Sequence, residues 1–89
     1  MSYSITGTVK EIMPSVSGQS AKGNWKKQLV IIESQDGEYK NDLAVQFFGD
    51  KTELVSKIGI GEQKTFHFNL KSRRSGDNWY TEATVWKVS

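Results

Sequence analysis

The feature that most constrains this chain is an alternation of apolar and polar residues with a period of two, and it recurs along the sequence. Tyr3–Ile12 sets Tyr3, Ile5, Gly7 and Val9 against Ser4, Thr6, Thr8 and Lys10. Leu43–Gly49 sets Leu43, Val45 and Phe47 against Ala44, Gln46 and Phe48. Lys64–Ser72 sets Phe66, Phe68 and Leu70 against Thr65, His67, Asn69 and Lys71. Trp79–Val88 closes the chain, with Ala83 and Val85 expected inward. Successive side chains of a strand point to opposite faces, so each stretch reads as a half-buried strand. Gln28–Ser34 is a short continuous apolar run rich in Val and Ile, which also predicts a strand. Val30 and Ile32 are its expected core-facing residues, with the register left open.

Punctuation between these runs orders them. Gly7 suggests a place where another segment approaches closely, and Pro14 ends the first strand. Ser17–Gln28, SGQSAKGNWKKQ, has the small, polar composition of a loop, yet it holds Trp25. Asp36-Gly37 is a hairpin signal, and Ser75–Asn78 reads as a turn. Asp50–Ile58 is the only helix candidate. Asp50 and Glu53 resemble a capping box, Leu54, Val55 and Ile58 form an apolar stripe, and Gly59 followed by Ile60 is expected to end it.

The order is strand, strand, strand, short helix, strand, strand. It predicts an all-β domain spanning residues 1–89, a five-stranded OB-fold barrel with one short helix between strands three and four. A three-stranded sheet with a separate hairpin has the same elements but leaves strand edges exposed.

Composition excludes several classes of function. The chain has no cysteine, which removes disulfides and thiolate metal sites, and a single histidine, His67, which removes a multi-histidine site. No apolar run approaches the length that spans a bilayer, and the N-terminus lacks a secretory signal pattern. A cytoplasmic setting is expected. No nucleophile–base pair is recognisable, and the GIG at Gly59–Gly61 ends a helix instead of opening one, so neither an enzyme nor a bound cofactor or metal is expected. The net charge is only +2. Its distribution is more telling. No acid lies between Glu11 and Glu33, where Lys22, Lys26 and Lys27 occur, and none between Glu62 and Asp77, where Lys64, Lys71, Arg73 and Arg74 occur. A fold that joins these windows acquires a basic face.

The stretch VQFFGDKTELVSKIGIGEQKTFHFNLKSR, Val45–Arg73, followed by NWYTEATV, resembles bacterial single-stranded-DNA-binding proteins. The shared features are a strand ending in Phe-Gly, a short Leu/Ile helix, a Gly-polar-Gln turn, a strand ending in Leu-basic-polar-Arg, and an aromatic-Tyr-Thr start to the last strand. GNWKKQ, VQFFGDK and WYTEATVWK also resemble stretches of small OB-fold proteins of Bacteroides-type bacteria and their phages. The resemblance covers nearly the whole chain. It implies an OB-fold that binds single-stranded DNA in replication, recombination or repair, as a homodimer or homotetramer. Two departures stand out. The acidic-tipped tail of the bacterial proteins has no counterpart after VWKVS, and a tryptophan that precedes the stacking Phe in that family is missing, although Phe48 matches the Phe itself.

The expected interface combines aromatic plates with cations. Trp25 would stack a base, with Lys22, Lys26 and Lys27 on phosphates; otherwise its indole covers the barrel end. Gln46 and Phe48 lie on the outer face of the third strand, across which OB-folds bind oligonucleotides. Lys71, Arg73 and Arg74 supply the opposite wall with Trp79 and Tyr80, or else form an ordinary solvated hairpin tip. Trp86 is expected against the first strand or an oligomer partner. Two other uses of such a face are an OB-fold protein-interaction module and single-stranded RNA binding.

Overall fold

Alternation in the sequence becomes an inside and an outside in space. The computed structural model describes residues 2–21, 23–36 and 38–89. Its strands are β1 (Ser2–Ile12), β2 (Val16–Ser20), β3 (Gly23–Asp36), β4 (Tyr39–Phe48), β5 (Gln63–Ser75) and β6 (Asn78–Val88). One 3₁₀ helix, Gly49–Lys57, lies between β4 and β5. The sheet order is β1-β5-β6-β4-β3-β2, and β1 also pairs with β3. That last pairing closes β1, β3, β4, β5 and β6 into the five-stranded barrel expected, with the helix between its third and fourth strands. β2 is an additional strand laid on the outer half of β3.

The inward residues are those the period of two selects. Val9, Val30, Ile32, Val45, Phe47, Phe66 and Val85 are fully buried. Each such side chain contributes roughly 1.5–3 kcal/mol relative to exposure. Phe47 and Phe66 meet edge to face, with centroids 6.5 Å apart. Gly7 eases the close passage of β1 over β3, because a Cβ there would lie 3.1 Å from the Glu33 carbonyl oxygen and 3.3 Å from Ile32 Cδ1, a tight fit. The β1–β3 register slips between Val9 and Glu11, and β1 ends before Pro14, as the sequence indicates.

Four local expectations are corrected. Ser17–Gln28 is not a loop. It is largely a hairpin, with Val16↔Lys27, Gly18↔Trp25 and Ser20↔Gly23 paired. Small polar side chains are poor strand formers alone, but here they complete the backbone ladder of a strand already held in the barrel. Asp50 does not cap the helix: Phe48 occupies the cap position without a side-chain cap bond, and Thr52 Oγ1 donates to the Gly49 carbonyl at 2.8 Å. Gly59 does not adopt the left-handed conformation, which falls on Gly61 at φ 92°, and Ile60 is exposed. Leu70 shares the alternation of Phe66 and Phe68 yet is 47% exposed, because β5 and β6 run on beyond the barrel as a two-stranded ribbon. That ribbon turns at Gly76-Asp77 with Gly76 at φ 64°. The hairpin foreseen at Asp36-Gly37 joins β3 and β4 through Asp36↔Tyr39; Gly37 itself lies outside the described residues.

Candidate functional site

Because β3 runs unbroken from Gly23, its alternation carries from the core to the tip of the hairpin. Val30 and Ile32 point inward, so Leu29, Lys27 and Trp25 point outward. In β4, Val45 and Phe47 point inward, so Gln46 and Phe48 point outward, and Lys27↔Phe48 and Leu29↔Gln46 are cross-strand partners. Gln46 is in turn bridged to Thr84 of β6. In β6, Ala83 and Val85 point inward, so Tyr80, Glu82 and Thr84 point outward beside their β5 partners Arg73, Lys71 and Asn69.

These faces merge into one shallow surface. Trp25, Lys27, Gln46, Phe48, Arg73 and Glu82 line one depression. Gln46, Phe48, Asn69, Lys71, Glu82 and Thr84 line the next. Phe48 is 47% exposed, although it follows fully buried Phe47. Trp25 is half-buried, with its indole packed close to Gly18, its cross-strand partner in the hairpin. A Cβ on Gly18 would stand 2.5 Å from the indole Cζ2. Lys27 Nζ sits 5.8 Å from the Trp25 ring centroid, a cation–π contact of about 0.5–1 kcal/mol at an exposed site. Arg73 Nη2 lies 3.5 Å from Glu82 Oε1. Among the described residues neither Lys27 nor Lys71 has a carboxylate within ion-pair distance.

Of the residues singled out in the sequence, Trp25, Lys27, Gln46, Phe48, Lys71 and Arg73 therefore converge, and Tyr80 stands beside Arg73 on the same face. Three others point elsewhere. Lys26 turns to the reverse side of β3, where it lines a groove with Gln28, Thr52 and Lys57. Arg74 and Trp79 are cross-strand partners on the opposite face of the ribbon from Arg73 and Tyr80. There Arg74 Nε donates to the Gly76 carbonyl at 2.8 Å and its Nη2 lies 3.9 Å from Asp77, while Trp79 is 66% exposed. Lys22 lies outside the described residues. Glu82 escaped notice in the sequence. The period-two pattern around Ala83 and Val85 was the signal that places it outward.

His67 and Trp86 belong to another part of the surface. Their rings are 5.5 Å apart, the Trp86 Nε1 donates to Ser2 Oγ at 3.2 Å, and His67 Nε2 lies 3.0 Å from Ser89 Oγ. Trp86 thus packs toward β1, one of the two places foreseen for it. No group of acidic and histidine side chains among the described residues is placed to hold a metal ion. No helix among them is long and apolar enough to cross a membrane.

Known structures with this architecture are numerous. The SSB domain of a Synechococcus protein superposes with a TM-score of 0.68 at 18% identity, over 98% of this chain and 91% of that one. A mitochondrial single-stranded DNA binding protein from S. cerevisiae gives 0.74 at 14% identity, over 100% and 92%. A small single-stranded DNA-binding protein from Streptomyces coelicolor gives 0.56 at 18% identity, over 100% and 90%. At such identities the likeness establishes the fold. No curated protein matches the sequence. The model of one family, described as a domain of unknown function (DUF3127), matches residues 4–89, and the chain belongs to that family.

Proposed function

We propose that the outer face of β3, β4, β5 and β6 binds single-stranded DNA with little sequence preference. The observation that carries this reading is the convergence of two rings, half-buried Trp25 and exposed Phe48, with Lys27, Lys71 and Arg73 on one side of the barrel. Every base has a π-face, so a ring platform tolerates sequence, and stacking is worth roughly 1–3 kcal/mol per base. Cations around the rings neutralise phosphates and release counterions. Proteins of the same fold are named for single-stranded DNA binding, which supports the reading. Tyr80 extends the platform along the ribbon.

The wider role follows the same reading: a cytoplasmic protein of replication, recombination or repair, of the type found in Bacteroides-like bacteria and their phages. One barrel face is small, so a homodimer or homotetramer is proposed to join several faces on one strand. A monomeric mass in light scattering at working concentration would remove the oligomer.

The test is a titration of oligo-dT followed by tryptophan fluorescence at two salt concentrations. Binding is expected to weaken with salt, with a log–log slope of about −0.7 for each phosphate neutralised. Trp25→Ala should weaken it by roughly 1–3 kcal/mol, and Arg73→Ala should flatten the slope. No binding at low salt would favour a protein-interaction module. Tighter binding of oligo-rU would redirect the site to RNA.

A further inference from the structure

We propose that Glu82, with Gln46 beside it, reads base edges at the centre of this face and biases it toward bases that carry an exocyclic amino group, cytosine over uracil or thymine. The inference rests on the DNA-binding reading above and refines it.

Three contiguous depressions occupy the face, and Gln46 and Glu82 are the residues common to all of them. A strand laid over the rings of Trp25 and Phe48 passes these two side chains whichever depression it follows. Glu82 is a carboxylate set among cations. Lys71 is its direct cross-strand partner and Arg73 Nη2 is 3.5 Å away. An acid in the path of a polyanion keeps phosphates off the centre of the face, with Lys27 a cation that has no carboxylate within ion-pair distance among the described residues, and leaves base edges to meet the floor. Arg73 engages one carboxylate oxygen, and a carboxylate has about four lone-pair sites.

The chemistry of the floor then discriminates. A carboxylate only accepts hydrogen bonds. The N4 amino group of cytosine donates, whereas O4 of uracil or thymine accepts at the corresponding place. Two acceptors face to face repel. Gln46 carries both a donor and an acceptor and suits either base, so the discrimination falls to Glu82.

The experiment compares deoxycytidine and deoxyuridine oligomers of equal length, which differ at that edge and not by a methyl group. Wild-type protein at low salt and neutral pH is titrated with each, beside Glu82→Gln. Wild type is expected to bind the cytidine oligomer about threefold to tenfold tighter, below the discrimination of a full bidentate pair. In Glu82→Gln the ratio should fall toward one, because the amide can turn its donor to O4, and the uridine oligomer should bind tighter than to wild type. Equal affinities in wild type, or an unchanged ratio in the variant, would overturn the role of Glu82 and leave DNA binding standing. Failure of wild type to bind either oligomer would overturn both.

Discussion

The two ends of β3 carry opposite chemistry on one face of the same strand. At the start, Trp25 and Lys27 point outward beside Phe48, and Lys27 Nζ lies over the Trp25 ring with no carboxylate within ion-pair distance among the described residues. At the far end, Glu33 points outward beside Asp42, and every cation nearby is paired. Lys10 Nζ lies 3.0 Å from Asp42 and 3.8 Å from Glu33, while Lys40 Nζ lies 3.8 Å from Glu33. Lysine occurs at both ends, so lysine content alone does not mark the proposed interface. What differs is whether a carboxylate or an exposed ring stands next to it. Lys10 and Lys40, each held by acids, have less to offer a phosphate than Lys27 beside a ring; Arg73 stands between the two cases, since it shares Glu82 but lines the same depression as the rings.

The largest expected effect breaks both ends at once. Phe47 is fully buried beneath β4 and packs on Phe66. Phe47→Ala should cost about 3–5 kcal/mol in denaturant unfolding. Loss of the near-end binding together with the fold would show that the two ends share one core. Binding retained at full affinity by a protein that has lost its cooperative transition would break that link.

The next change sharpens the near end alone. Gly18→Ala places a methyl group where the Trp25 indole now lies, with Cζ2 and Cε2 only 2.5 and 2.7 Å away. The ring must move. Tryptophan emission should shift, and oligo-dT binding should weaken by up to the roughly 1–3 kcal/mol of one stacked base, with little change in unfolding midpoint. Unchanged emission and affinity would mean that the position of the indole is irrelevant to binding.

The sequence marks the barrel strands clearly and their ends poorly. The barrel order and the inward residues followed from alternation in Tyr3–Ile12, Leu43–Gly49 and Lys64–Ser72, since burial on one face enforces that pattern. The β2–β3 hairpin did not show, because Ser17, Gly18 and Gln19 bury little and pair through backbone. Starting the second strand at Gln28 therefore grouped Lys26 with Lys27, although adjacent strand residues point to opposite faces. The same error at the other hairpin grouped Arg73 with Arg74. With β5 running to Ser75, Arg74 and Trp79 turn away from Arg73 and Tyr80. The helix cap was misread because Asp50 and Glu53 have the right spacing, while the chain leaves β4 through Gly49 at φ 61° and enters a 3₁₀ turn.

Smaller still are single-charge changes at each end. Lys27→Ala removes one proposed phosphate partner, so the salt slope of oligo-dT binding should become shallower by about 0.7. Glu33→Gln at the far end should leave that slope unchanged and alter stability by about 0–1 kcal/mol, as exposed ion pairs do. Equal effects of the two changes on the slope would erase the distinction between the ends.

The smallest effect is set by pH. Lys10 is held above the ordinary lysine value of 10.5, first by the hydrogen bond it donates to Asp42 and then by the charge of the same carboxylate. The folded state therefore binds this proton more tightly than the unfolded chain does. The stability it contributes is fully present below the unfolded lysine pKa and is lost as pH rises through the raised folded value. The group is exposed, so the contribution is small. The thermal midpoint should show no dependence on this pair through neutral pH and a slight extra fall above about pH 10.5. Asp42→Asn should remove that extra fall, and the difference between wild type and variant isolates it from the other lysines. A difference that grew on the acidic side of neutrality, with no change above pH 10.5, would mean that Lys10 is not what holds Asp42 at this end of β3.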